Sequence, residues 1–516
     1  MADKESKLAS GSIIILLGSI ILRLGGFIYR FILTRLLSTT GYGIVGLTIP
    51  FQNALIIGAS GGVPPAIAKY VSEYLAVDNE VMVHQIIKTA MKLMVFMAVI
   101  VALLMFIIAE PIAIGIWNKP EALLPLRLVS VIIPFSVVAG ALRGVFQGFY
   151  QMKNIFYGKF LEQIFTLICA VILVLLGWYA AGAVLGTALG FLAAVLGSYY
   201  LYVRDVKQKY LVNDYPSISF KEELKIYKTI LKFSIPVVIT GIAEIFLYDT
   251  GTFFIGTFLA TAYAGFFTNA SAISRIPLII SNSVSVSILP AASEAASLKD
   301  SNLLKLYLHQ AYRYTSIVTL PICAFIMVYA LPIMTLLFTD EYAPGAGALT
   351  ILVAGMFFFA IYTIVSSMCQ GLNKPYVPMI SLIIGTITNV IFSILLIPRY
   401  DIIGAGLSTT ISTFVVMSIT LIELTRVSKI HPPYIDLVKI IAATVVMTIV
   451  MYLIPNTLIG MIIGGIIGSI VYMVMILLLR AIRKEDVTFI KHFINKTGPL
   501  KKPILKLGKR FYKYLS

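Results

Sequence analysis

Residues 21–37 read "ILRLGGFIYRFILTRLL" and carry Arg23, Arg30 and Arg35 without an acidic residue among them. The apolar segment around them, 12–37, is long enough to cross a bilayer, which takes a helix of about 20 residues. An arginine at mid-membrane costs at least about 2.5–3.5 kcal/mol, so intramembrane arginines normally face a cavity or a partner. The stretch therefore predicts a membrane helix whose charges serve a polar interior.

The whole chain has the composition of a membrane protein. Of its 516 residues, 59% are hydrophobic and only 12% are charged. Continuous apolar runs without strand-like alternation favour helices over barrel strands. The sequence predicts an all-α polytopic membrane protein with about fourteen transmembrane helices. The predicted spans are 12–37, 42–68, 89–110, 122–146, 157–176, 181–203, 229–256, 263–289, 311–338, 346–369, 376–397, 402–425, 437–454 and 457–480.

The positive charges predict the orientation. With a cytoplasmic N-terminus, the inner connections and tails hold 32 of the 40 Lys and Arg residues, whereas the outer connections hold only Lys119 and Arg399. This bias predicts a cell-membrane protein with both termini in the cytoplasm. The net charge of +17 is concentrated in the basic tail, 481–516. Such a tail indicates contact with the anionic inner leaflet and argues against nucleic-acid binding.

Three short motifs recur in order along the chain. "EPIAIGIW" at 110–117 resembles "LPIMTLLF" at 331–338, and the other two pairs have nearly the same offset of about 222 residues. A constant offset predicts two six-helix copies with the same topology. The predicted domains are an N-lobe (1–203), a cytoplasmic linker (204–228), a C-lobe (229–425), spans 13 and 14 (437–480) and the basic tail (481–516).

Charges inside the spans are the candidate functional residues. Arg23 and Arg30 are seven residues apart and lie within about 20° on one helical face. With Arg275 of span 8, they outnumber the central acids Glu244 and Asp249. They either neutralise those acids or bind an anion such as a diphosphate, whose oxygens match the guanidinium fork. We expect the three arginines to face one chamber between the lobes.

Other predicted features concern membrane depth and bending. Arg35 lies near an outer end, where extension to the interface competes with a role as a cavity or coupling charge. Prolines remove backbone hydrogen bonds and bend helices. Pro65 and Pro290, at corresponding places in the two repeats, and Pro236 in span 7 are candidate hinges.

The sequence contains no signature of chemistry. Three cysteines without a CxxC and four scattered histidines indicate neither disulfides nor a metal site, and no P-loop or cofactor motif is present. No outer connection reaches fifteen residues, so a membrane enzyme with an outer catalytic domain is not expected. These features favour a secondary transporter over an enzyme or an ATP-driven pump.

Two segments carry a family resemblance. "LGGFIYRFILTRLLSTTGYGIVGL" with "GVPPAIAKYVSEY" resembles the start of the polysaccharide transporter and sporulation protein VB-like flippases. Residues 274–296, "SRIPLIISNSVSVSILPAASEA", resemble the eighth helix of the related lipid II flippases. Both groups belong to the multidrug/oligosaccharidyl-lipid/polysaccharide exporter superfamily.

The resemblance implies a flippase that moves polyprenyl-diphosphate-linked saccharides by alternating access and works beside glycan-assembly enzymes. It also implies that Arg23, Arg30 and Arg275 meet the diphosphate, and that the last two helices help to hold the lipid tail. Lipid II flippases carry charges in the second helix, whereas 39–68 has none here, which favours a general oligosaccharide-lipid substrate. The alternatives are a multidrug cation antiporter of the same superfamily, kept open by Glu244 and Asp249, and a non-transport scaffold in envelope assembly.

Overall fold

The computed structural model describes residues 22, 24–75, 77–210 and 219–481, and these contain helices and no strand. The first helix, α1, covers 24–36 in this part of the chain. The others are α2 (Thr39–Ser60), α3 (Val63–Leu75), α4 (Glu80–Glu110), α5 (Leu123–Gly148), α6 (Met152–Leu173), α7 (Tyr179–Tyr202), α8 (Gln208–Tyr210), α9 (Phe220–Phe258), α10 (Thr261–Ser274), α11 (Leu278–Ser297), α12 (Ser301–Val328), α13 (Ala330–Leu337), α14 (Gly345–Gly371), α15 (Tyr376–Ser428), α16 (Tyr434–Tyr452) and α17 (Leu458–Leu478).

Ten helical segments within the described residues are long and apolar enough to cross a membrane. Two of them, Met152–Tyr210 and Tyr376–Ser428, each contain a sharp interruption and cover two predicted spans. The all-α polytopic fold is confirmed. The count of fourteen stays a prediction, because most of the first predicted span lies outside the described residues.

The backbone repeats with the offset found in the sequence. The segment from α2 to α3 begins at Thr39, and the segment from α10 to α11 begins 222 residues later at Thr261. Tyr179 and Asp401, also 222 residues apart, interrupt their helices with nearly the same dihedral angles (φ 43°, ψ −131° and φ 51°, ψ −136°). A non-glycine residue with positive φ is uncommon, so its recurrence marks a repeated chain path.

The equivalent helices α2 and α10 meet through equivalent glycines. A Cβ on Gly43 would lie 2.0 Å from the carbonyl oxygen of Thr261, and one on Gly265 would lie 3.1 Å from that of Thr39. Gly43 and Gly265 are themselves 222 residues apart. Side chains at these positions would force the two backbones apart. The repeat therefore shows in the packing of the two helices as well as in the chain path.

The chain is organised as two compact units. The first takes the described residues of Met1–Thr268 together with Ser393–Asp401, and the second takes those of Asn269–Phe392 and Ile402–Ser516. Within the second unit, α11, α12 and α14 enclose an apolar core that includes Ile288, Leu308 and Ile364. Each unit positions its own candidate residues.

The last two helices are fastened to α12 by hydrogen bonds to backbone carbonyls. Pro321 in α12 has no N–H, so the carbonyl of Ile317 loses its helical donor. Tyr472 of α17 donates its hydroxyl to that carbonyl at 2.7 Å. Tyr329 donates to the carbonyl of Met451 in α16 at 3.1 Å. The tyrosines thus join spans 13 and 14 to the second repeat.

Candidate functional site

Arg30 lies on α1 in the first unit and is half-buried. Its guanidinium contacts the phenol of Tyr42 on α2. Its Nη1 atom is buried and has no hydrogen-bond partner among the described residues. In that part of the chain Arg30 forms no ion pair with Glu244 or Asp249. A buried donor on a cation, without an internal acceptor, is suited to an anionic ligand.

The other two arginines of the first span differ from Arg30. Arg23 lies outside the described residues. Arg35 is exposed, with its guanidinium 3.5 Å from the ring centroid of Phe31 and its Nη1 donating to the Phe31 carbonyl at 3.0 Å. Part of the Arg35 charge is therefore satisfied locally, on its own helix.

The acids of span 7 occupy two environments on α9. Asp249 is buried, and its Oδ2 accepts a hydrogen bond from Asn53 Nδ2 of α2 at 3.0 Å. Glu244 is exposed on the same helix. Asn53 lies 222 residues before Arg275, so one repeat carries an amide where the other carries a cation. No group of three or more His, Cys, Asp or Glu residues in the described chain could hold a metal ion.

Arg275 lies at an interruption of span 8, which the sequence predicts to be continuous over 263–289. That prediction is wrong, because α10 ends at Ser274 and α11 begins at Leu278. Pro277 has no N–H to donate to the Ile273 carbonyl, which instead accepts from Ile276 at 3.0 Å. Arg275 is half-buried there, and its Nη2 donates to Ser271 Oγ at 3.1 Å.

The candidate hinge prolines lie within helices. Pro65 falls in the first turn of α3, where a missing N–H costs nothing. The chain breaks before it, at Gly61 and Gly62, whose φ angles are 57° and 64°. Pro236 and Pro290 lie inside α9 and α11, which continue past them. The breaks in the two repeats are therefore at non-equivalent positions, and hinge motion at these prolines stays a prediction.

An arginine that the sequence does not single out contacts an acid of span 5. Arg143 of α5 pairs with Glu162 of α6, whereas the sequence suggests Lys159 as a partner for that acid. The two are nineteen residues apart on different helices. Helical spacing along one chain segment could not indicate such a contact.

A second such residue is Lys119, which the sequence presents only as one of two outer positive charges. Its side chain is buried at 8% exposure, and its Nζ donates to the carbonyls of Gly256 and Leu259 (2.5 and 2.7 Å). These carbonyls end α9, where a cation also meets the negative end of the helix dipole. Burial lowers the pKa of Lys119, and Glu121 opposes that shift.

We expect Lys119→Met to lower the melting temperature of the purified protein, because two carbonyls lose a charged donor. Hydrogen bonds to charged groups contribute about 1.5–3 kcal/mol each, so the fall should be several degrees. Arg399→Met is the matched control, because Arg399 is the other predicted outer cation and is exposed. Equal melting temperatures for the two variants would contradict a capping role for Lys119.

Membrane-length helices with a half-buried, unneutralised arginine define the class as a multi-pass membrane transporter. The polysaccharide biosynthesis protein family model matches residues 8–296, more than half of the chain. The chain belongs to this family. A second model, described as MatE, matches residues 236–395. The resemblance to the exporter superfamily is confirmed by these matches.

Several curated proteins are similar over most of the chain. An uncharacterized membrane protein of Methanocaldococcus jannaschii is 27% identical, over 82% of this chain and 99% of its own. Stage V sporulation protein B of Bacillus subtilis is 25% identical, over 82% and 84%. The lipid II flippase MurJ of Bacillus subtilis is 22% identical, over 79% and 80%. A solved inward closed conformation of lipid II flippase MurJ has the same fold, with a TM-score of 0.71, 16% identity and coverage of 90% and 98%.

Proposed function

We propose that the protein is a flippase for a polyprenyl-diphosphate-linked oligosaccharide, acting by alternating access in cell-surface polysaccharide or glycoconjugate assembly. The observation that carries the proposal is the buried, unpaired Nη1 of Arg30 inside a membrane span. Family membership and the similarity to a lipid II flippase support the substrate class. A lipid diphosphate cannot enter hydrocarbon alone, and a protein cation lowers that barrier.

Arginine suits this substrate better than lysine does. Its planar guanidinium donates two parallel hydrogen bonds to one phosphate, whereas an ammonium acts as a point charge. We assign Arg30, with Arg23 and Arg275, to the diphosphate. Arg35 remains a candidate interface charge.

Glu244 and Asp249 are proposed coupling charges for an ion gradient. Asp249 is the better placed of the two, because it is buried and oriented by Asn53. The basic tail, 481–516, is proposed to bind the anionic inner leaflet, near glycan-assembly enzymes.

Purified protein in liposomes tests the substrate class. One assay follows a fluorescent polyprenyl-diphosphate disaccharide that becomes accessible to an impermeant quencher, and the other follows ethidium uptake. We expect protein-dependent movement of the lipid and no ethidium transport. Ethidium transport without lipid movement would overturn the proposal in favour of a multidrug antiporter, for which the MatE match and the acids of α9 speak. Movement of neither substrate would favour the scaffold.

The proposed orientation is tested by thiol labelling in intact cells. Glu341 and Lys221 are exposed and lie in a predicted outer and a predicted inner connection. In a variant lacking the native cysteines, we expect an impermeant maleimide to label Glu341→Cys from outside. Lys221→Cys should react only after permeabilisation, because the charge bias is 32 to 2. The opposite pattern would contradict the proposed topology.

A further inference from the structure

Four buried hydroxyl groups follow one face of α12 in the second unit. They belong to Tyr312, Thr315, Ser316 and Thr319, whose side chains are 0–1% exposed. At about 100° per residue, the four positions fall within an arc of about 100°. Each hydroxyl oxygen is buried and has no hydrogen-bond partner among the described residues. They form a continuous polar row in an otherwise packed region.

Buried hydroxyls elsewhere in the same unit are satisfied by their own helices. Thr420 donates to the Val416 carbonyl at 2.7 Å, and Ser408 donates to the Gly404 carbonyl at 2.8 Å. The hydroxyls of the α12 row do not make this bond, so they are directed away from their own backbone. Leaving a buried polar group unpaired is unfavourable, and native proteins rarely leave several together. A row of four therefore indicates a ligand.

The chemistry of the row selects the ligand. A hydroxyl both donates and accepts, and so does water, whereas a single ion satisfies only one of the two roles. The neighbouring charges, Arg313 and Asp436, form an ion pair and so add no net charge. From Tyr312 to Thr319 the helix rises by about 10 Å, room for roughly three or four waters in line.

We propose that this face of α12 is an internal water site, in which the hydroxyls of Tyr312, Thr315, Ser316 and Thr319 hold a short row of ordered water molecules. The row begins beside the Arg313–Asp436 pair and ends two residues before Pro321, where α12 lacks a backbone hydrogen bond. Water there is part of the structure and gives this stretch of the helix its hydrogen bonds. The site is separate from Arg30 and Arg275 and does not depend on the transported substrate.

Valine substitutions distinguish a hydrated row from a dry one by the sign of their effect. Valine has the shape of threonine without the hydroxyl. If Thr315 and Thr319 bind water, Thr315→Val and Thr319→Val should each lower the melting temperature, by about 2–4 °C. If the row is dry, removing an unpaired hydroxyl should raise it. Thr420→Val is the matched control, because its hydroxyl is equally buried but bonded to its own helix. A rise in both row variants would overturn the proposal.

X-ray radiolytic footprinting gives a second, independent readout, because bound water generates hydroxyl radicals beside buried side chains. Tyr312 should be oxidised in the folded protein. Tyr329, equally buried but bonded to the Met451 carbonyl, should be protected. Protection of both tyrosines would overturn the proposal. Replacement of chloride by gluconate should leave the melting temperature unchanged, and a fall would instead identify an anion as the ligand.

Discussion

Arg30→Ala should reduce flipping of a labelled polyprenyl-diphosphate saccharide by roughly 10–100-fold while the protein still folds and inserts. The loss corresponds to about 1.5–3 kcal/mol for a hydrogen-bonded charge contact. Arg30→Lys should retain part of the activity, since it keeps the charge without the fork. The liposome quenching assay measures the rate, and size-exclusion chromatography of the purified variant measures folding.

The matched control is Arg127→Ala, because Arg127 is also an arginine within a predicted span but pairs with Glu110 at 2.7 Å. It should flip at near the wild-type rate. The double variant Arg30→Ala/Asp249→Asn separates binding from structural pairing. If Arg30 only neutralised the carboxylate, the double variant would regain both stability and flipping, contrary to our expectation.

Arg313→Met should be the most destabilising single substitution that we propose. Arg313 and Asp436 join α12 to α16, with Nη1 and Oδ2 3.6 Å apart and side-chain exposures of 2% and 7%. Removing one member of a buried ion pair strands the other charge, at a cost of about 3–5 kcal/mol. We expect a large fall in melting temperature and a low yield of monodisperse protein.

Replacing both members should restore much of the loss, because apolar side chains often substitute for a buried pair at little cost. The double variant is Arg313→Met/Asp436→Leu. Arg426→Met is the control, since Arg426 pairs with Glu423 at the surface and such pairs contribute at most about 1 kcal/mol. If the double variant were no more stable than Arg313→Met, uncompensated charge would not be the cause.

Features that depend on local sequence could be predicted. Apolar runs indicate the membrane helices, and the offset between motifs indicates the repeat that Thr39 and Thr261 display in the backbone. The interruption at Arg275 is also encoded locally, by Pro277, although the correspondence between Pro65 and Pro290 favours a break elsewhere. Pro277 and Pro290 lie close together in the sequence, and composition alone does not say which one the helix tolerates.

Contacts between distant helices could not be predicted. Arg143 meets Glu162, and Arg313 meets Asp436, because helix packing places them together. Lys119 is a further case, since a lysine in a polar connection is normally exposed. The unpaired Nη1 of Arg30 likewise depends on which neighbours fail to reach it, and a single sequence does not report that.

The hydrogen bond from Tyr472 to the Ile317 carbonyl bears on how a fourteen-helix chain could be shortened. Proline at 321 is tolerated because a residue more than 150 positions away supplies the missing donor. A truncation that removed α17 would leave that carbonyl unserved in the membrane. Descendants that shed the terminal pair of helices would therefore be viable only with a different residue at 321 or a replacement donor, which links the histories of the two positions.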